Sequence, residues 1–337
     1  MKSIIFIIPY FGKLPEYFDV WKMSALYNKT VDFLFFTDID ELQEEENIKV
    51  VHISFNDFVK NFQEKFNFEI SLQRAYKLCD FRPTYGFVLH DFVKDYDFWG
   101  NCDIDLIFGD IRRFITDDLL EKYEKILEHC HFTLYKNDVK MNSIFMSGNG
   151  YGEYNYKNVL SSPESLYFDE CLGMQQICRK QNIKTYYNQD IFFDVKPWEK
   201  PFKHINGNDQ STIFKYAGGK IYKLTMLSDD TIEEEEIMYA HFQKRRMDWG
   251  IVSGDYSQSF YIKPNKAFNT ERLTRADFAC KGINAYKLKK KIERLKEYIK
   301  RYKQGRYPSF NIYKNQRHQL GVDITNSKEE IKKRDKL

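Results

Sequence analysis

The chain has 337 residues, 42% of them hydrophobic and 17% aromatic, which is ample for a packed core in one large or two modest domains. A net charge of +3 sets up no global field that demands nucleic acid, and no segment approaches the ~18 consecutive apolar residues of a membrane span. Cysteines at 79, 102, 130, 171, 178 and 280, with no Cys-x-x-Cys pair, argue for reduced thiols in a cytoplasmic protein and against a structural zinc site.

Residues 4–8 form a continuous apolar run, as expected of a parallel strand covered on both faces. The N-terminus begins like a signal peptide, but the run is too short, and Pro9, Tyr10 and Gly12 follow with no cleavage site. Open α/β sheets bind ligands beyond the carboxyl ends of their strands, so Pro9 and Tyr10 are candidate pocket wall. Neither a Gly-x-Gly-x-x-Gly loop nor a Walker lysine follows. A helix is predicted over 17–27 and a second strand over 31–36, ending at Thr37 and Asp38. Asp38 either holds a ribose or base, or caps the turn into Asp40 and Glu41. A third strand over 48–53 and helices over 57–66 and 71–79 come next. Lys77, Asp80 and Arg82 crowd one turn just before Pro83, either as a surface ion-pair cluster or as neighbours of a nucleotide. This β-α-β-α alternation indicates a largely parallel sheet with helices on its faces.

A fourth strand over 92–99 carries the chain into Asp103 and Asp105. On an extended chain, residues two apart point to the same side, so both carboxylates can reach one cation. Hard oxygen ligands of this kind suit Mg²⁺ or Mn²⁺. The alternative is a solvated acidic turn, against which stands the apolar approach, since desolvating two carboxylates without a counter-charge is costly. An amphipathic helix is expected over 117–130, with Leu119, Leu120, Tyr123, Ile126 and Leu127 on one face. A strand over 131–135 and a short apolar segment entering a Gly-rich loop over 142–150 follow. Asp169 and Glu170 lead into a helix over 172–180, where they cap it or serve as carboxylates near the pocket. Residues 213–222 read as a hairpin turned by Gly218 and Gly219. An apolar lead then places His241 at or near a strand end, followed by Lys244, Arg245 and Arg246. A lone histidine is commonly a core or surface residue; beside this basic group, its imidazole can complete a divalent-metal site while Lys and Arg neutralise a diphosphate.

Together, the covered first strand, the Asp-x-Asp and the late His with Lys and Arg resemble the GT-A glycosyltransferases. More narrowly, the segments at 8–12, 77–83, 97–111 and 241–245 look like an uncharacterised group of bacterial GT-A-like proteins found among polysaccharide-synthesis enzymes. The likeness covers about residues 1–250. It implies a GT-A-like (Rossmann-like) α/β fold with a mixed, mostly parallel sheet and helices on both faces. It carries Asp103, Asp105 and His241 over as ligands of Mn²⁺ or Mg²⁺. The expected function is transfer of a hexose from a nucleotide-sugar, a UDP-sugar on this reading, to a glycan or lipid-linked glycan acceptor. Lys244 and Arg245 would meet the diphosphate, and Asp38, Pro9 and Tyr10 the nucleoside, with Lys77 and Asp80 nearby. Asp169 or Glu170 would take the acceptor hydroxyl's proton. A metal-dependent phosphoesterase or nucleotidyltransferase, or a non-catalytic nucleotide-sugar-binding protein at a membrane, could use the same groups.

The expected division is a catalytic domain over 1–250, a connecting segment over 251–282, a basic amphipathic helix over 283–305 and a polar tail over 306–337. Leu288, Ile292, Leu295 and Ile299 form a stripe among ten Lys and Arg between 287 and 306. The helix either docks on an anionic membrane surface, each basic residue adding ~1 kcal/mol, or packs its stripe on protein. No recognised nucleic-acid module accompanies it. The expected location is the cytoplasm, with the inner face of the cell membrane as the peripheral alternative.

Overall fold

The computed structural model describes residues 1–280 and 292, apart from 153, 197–198, 206–211, 244, 246 and 251–258. The basic helix expected over 283–305, Ile292 aside, and the tail therefore lie outside the described residues, as does Lys244. The described part up to residue 280 falls in one compact unit, Met1–Gly282.

The chain opens with strands β1 (Ile4–Pro9), β2 (Val31–Thr37) and β3 (Ile48–His52), and returns as β4 (Phe98–Cys102). Side chains alternate along β1. Ile4, Phe6 and Ile8 pack with Phe18 and Trp21 of helix α1 (Phe18–Leu26), while Ile5 and Ile7 pack with Phe58 and Phe62 of α2 (Phe55–Gln63). The apolar run is continuous because both faces are covered, one by each helix. Ser54 caps α2 by accepting from the Asp57 amide.

After β5 (Leu106–Phe108), the strands β6 (Lys125–His129), β7 (Phe132–Lys136) and β8 (Thr185–Tyr186) complete a seven-stranded sheet in the order β3-β2-β1-β4-β7-β6-β8. Pairing is parallel except where β7 runs antiparallel between β4 and β6. This is the mixed, mostly parallel α/β sheet expected from the sequence. The chain winds outward from β1 through β2 to β3, then comes back to place β4 on the other side of β1. The carboxyl ends of β1 and β4 therefore flank a topological switch point, the usual crevice for a ligand.

Strand β9 (Phe192–Asp194), the antiparallel strands β10 (Thr212–Ala217), β11 (Lys220–Met226) and β12 (Ile232–Ile237), then β13 (Tyr239–His241), β14 (Phe260–Lys263) and β15 (Lys266–Phe268) finish the set. Gly218 and Gly219, at φ +55° and +76°, make the expected β10–β11 turn. A five-stranded sheet runs β12-β11-β10-β14-β15, so the stretch expected to be a connecting segment supplies two strands and the helix Arg275–Phe278. A third sheet, β5-β13-β9, takes β5 from between two strands of the first sheet, β13 from between two strands of the second, and β9 from the chain that joins them.

Three local expectations are corrected. Residues 71–79 do not make an α-helix; a 3₁₀ turn covers Ala75–Asp80, and a second, Arg82–Thr84, holds Pro83 at its second position. The stretch at 92–99 is not one strand, because the helix His90–Val93 closes before Phe98 opens β4. The helix expected over 117–130 stops at Lys122, and Lys125–His129 pairs with β7 and β8 instead. Leu127 takes φ +59° where the register with β7 shifts, so its helical spacing was satisfied by a bulged strand.

Candidate metal centre and active site

Asp103 and Asp105 do not sit on a strand, as alternation had suggested. β4 ends at Cys102, opposite Phe132 of β7, and the chain turns through Asp103, Ile104 and Asp105 into β5 of the third sheet. Backbone bonds pin the turn at both ends: Asp103 N–H donates to His131 O at 3.0 Å and Phe242 N–H to Asp105 O at 3.0 Å. β5 pairs antiparallel with β13, setting His241 opposite Leu106, and β13 pairs parallel with β9, setting His241 opposite Asp194. One donor atom from each of Asp103, Asp105 and His241 lies within 4.8 Å of the others. Residues 136 positions apart meet because two strand registers force them to.

His241 is buried, with Nε2 3.3 Å from Asp105 Oδ1 and Nδ1 2.8 Å from Asp194 Oδ1. Burial disfavours a charged ring here, yet the Asp105 and Asp194 carboxylates lift its pKa to about 10. His131, stacked on it with centroids 4.2 Å apart, is held well below the usual histidine value by burial and by the His241 charge. Two carboxylates and an imidazole nitrogen form a donor set that fits Mn²⁺ or Mg²⁺. His131, Asp194 and His241 also come within 4.8 Å of one another. That group suits an ion less well: the two rings lie 29° from parallel, so their in-plane lone pairs do not converge, and His131 Nε2 is 3.1 Å from the Tyr239 hydroxyl.

The remaining expected site residues divide. Pro9 and Tyr10 end β1 at the crevice, and burial followed by the Asp105 charge raises the Tyr10 pKa, as it does that of Tyr17. Asp38 is exposed at the end of β2 and accepts from Gly12 N–H at 2.8 Å, where Gly12 takes φ +97°. It neither caps its own turn nor stands apart: it ties the two strand-end loops together. A cavity beside Asp105 is lined by Arg245, expected at the site from sequence, and by Tyr17, Phe242 and Trp249, which were not.

Lys77 and Asp80, expected beside the nucleotide, are turned inward. Lys77, 1% exposed, donates to Asp80 at 2.6 Å and to the carbonyls of Val159 and Glu164, and Asp80 accepts from the amides of Leu166 and Phe168. Their hydrogen-bonding capacity is spent on shaping the 159–168 loop. Arg245 lines the cavity beside Asp105, and its guanidinium donates to the carbonyls of Lys196, Glu199 and Lys200 and stacks over Phe202, so three of its N–H groups are already engaged by backbone.

Arg82, grouped in the sequence with Lys77 and Asp80 as an ion-pair cluster or a neighbour of the nucleotide, is a cation beside the acidic turn. It bonds Asp103 through Nη2, and Asp169 Oδ2 at 3.0 Å and Cys130 O at 2.8 Å through Nη1. Asp169 and Glu170 do not cap the following helix, which starts at Met174 behind Gly173. Asp169 is buried, its Oδ1 has no hydrogen-bond partner among the described residues, and burial raises its pKa to about 7 against the pull of Arg82. Glu170, next to it, is half-buried.

Residues 6–271 match the model of a family of unknown function, DUF6625. The chain belongs to that family. Comparison of this DUF6625 chain with curated proteins gives no match. Among solved structures, the galactosyltransferase LgtC in complex with donor and acceptor sugar analogs is similar at a TM-score of 0.30 and 14% identity, over 57% of this chain and 75% of that one. A similarity so slight does not bear on activity. Among the described residues of the DUF6625 chain, no helix is long and apolar enough to cross a membrane.

Proposed function

We propose that the protein is a metal-dependent glycosyltransferase that moves a hexose from a nucleotide-sugar, of which a UDP-sugar is the best candidate, to a glycan or lipid-linked glycan acceptor. One observation carries the reading: Asp103, Asp105 and His241 meet at the switch-point crevice with donor atoms within 4.8 Å. These three would hold Mn²⁺ or Mg²⁺, which supplies positive charge to a diphosphate leaving group as its negative charge grows. Tyr10, Tyr17 and the Asp38–Gly12 tie wall the nucleoside side of the crevice. Arg82 adds a fixed cation beside Asp103, in the place that Arg245 was expected to fill. Of the two acidic candidates for the acceptor hydroxyl, Glu170 is the one solvent reaches, while Asp169 lies behind Arg82 and holds it in position.

Calorimetry with UDP, with and without Mn²⁺, tests the donor assignment, and metal-independent or absent binding counts against it. UDP release from a panel of UDP-sugars by wild type and Asp105→Ala then separates turnover from binding. Phosphate release from simple esters instead would identify a phosphoesterase.

A further inference from the structure

The buried carboxylate behind His241 has no place in the reaction just described. Asp194 ends β9, and the parallel register with β13 puts it directly beside His241. Its Oδ1 accepts two bonds, from His241 Nδ1 at 2.8 Å and from Gln243 Nε2 at 2.7 Å. Gln243 reaches it because the chain turns two residues past the strand end, at Gln243 itself, whose φ of +52° is a left-handed conformation that costs a non-glycine residue free energy and persists where its surroundings hold it. His131 stacks on the ring with centroids 4.2 Å apart.

We infer that Asp194, steadied by Gln243, is a positioning residue that locks the His241 ring with Nε2 facing Asp103 and Asp105. The inference rests on the metal reading above. A half-turn of the imidazole about its Cβ–Cγ bond exchanges Nδ1 with Cδ2 and Nε2 with Cε1, so a flipped ring offers carbon to the ion. The bond to Asp194 exists in one orientation only. It also keeps the proton on Nδ1 when Nε2 gives its lone pair to the metal, and an anionic acceptor makes that lone pair more basic. The motif that matters is thus His241-Phe242-Gln243 read with Asp194: ligand, buried spacer, and the amide that braces the ligand's own support.

The test measures Mn²⁺ affinity of the full chain by electron paramagnetic resonance for wild type, His241→Ala, Asp194→Ala and Asp194→Asn. Expected is a loss of about 10–100-fold for Asp194→Ala. Asp194→Asn, which keeps an acceptor oxygen and the volume but not the charge, should lose less. A second readout is the Nδ1–H resonance of His241 in the Mg²⁺-loaded, ¹⁵N-histidine-labelled protein, expected as one sharp downfield signal in wild type, shifted upfield in Asp194→Asn and absent in Asp194→Ala. Should Asp194→Ala not fold, the Asn variant decides. Wild-type affinity in Asp194→Ala, or an unmoved Nδ1–H signal in Asp194→Asn, while His241→Ala has lost binding, overturns the inference and leaves the metal site standing. A wild-type protein that takes up no Mn²⁺ overturns both.

Discussion

Arg82 spans two carboxylates that lie 66 residues apart in sequence, meeting Asp103 with one guanidinium nitrogen and Asp169 Oδ2 at 3.0 Å with the other. The acidic turn and the loop before helix Met174–Lys180 are therefore one electrostatic unit. Replacing Arg82 by Ala leaves Asp169 buried without its counter-charge. At pH 8 that carboxyl, ionised beside Arg82 in the wild type, takes up a proton once the guanidinium is gone, and the expected loss through this group is about 1–2 kcal/mol. Adding Asp169→Asn should recover most of it. Urea unfolding of the two single variants and the double variant measures the coupling.

Asp169 also sets a pH dependence. Its pKa is raised from 3.8 to about 7 by burial, so the folded protein keeps a proton that the unfolded chain releases near pH 4. The sign follows: this group's contribution to stability is most favourable below pH 4 and declines as pH rises to about 7, by on the order of 1 kcal/mol per unit. Asp169→Asn has no such slope. Relative to wild type it should gain stability between pH 5 and pH 8, and equal slopes in paired urea titrations would refute the assignment.

Metal uptake should release protons. With its pKa lifted to about 10, His241 is charged at pH 7 in the metal-free protein, and the proton on Nε2 must leave before that nitrogen can bind an ion. Mn²⁺ affinity is expected to rise with pH up to about 10, with close to one proton released per ion at pH 7. Calorimetry in two buffers of different ionisation enthalpy counts it.

The inward-turned pair makes a contrasting prediction. Lys77→Ala strands the buried Asp80 carboxylate and should cost about 3–5 kcal/mol, read by thermal or urea unfolding. The fraction that stays folded should bind nucleotide as wild type does. A selective loss of nucleotide binding at full stability would return Lys77 to the site.

The acidic turn and His241 could be picked out one at a time, because each stands where an apolar run ends. Arg82 and Asp194 could not. Arg82 shares a turn with Lys77 and Asp80, and only the packed structure sends two of these inward and one toward Asp103. Asp194 sits inside the apolar run 191–195, 47 residues before its partner, with no local pattern to flag a carboxylate whose role is to hold a ring.

The sequence by itself determined the two-sided apolar run of β1, the strand after α1, the glycine hairpin of the five-stranded sheet, and the polar groups at strand ends. Local propensity and side-chain period are enough for those. Tertiary structure alone decided that Lys125–His129 is a strand despite its helical spacing, since pairing with β7 and β8 satisfies its backbone there. It alone decided, too, which charged groups face the crevice. That choice depends on strand registers and on which carbonyls and carboxylates lie within hydrogen-bonding reach, distances set between segments far apart in the chain.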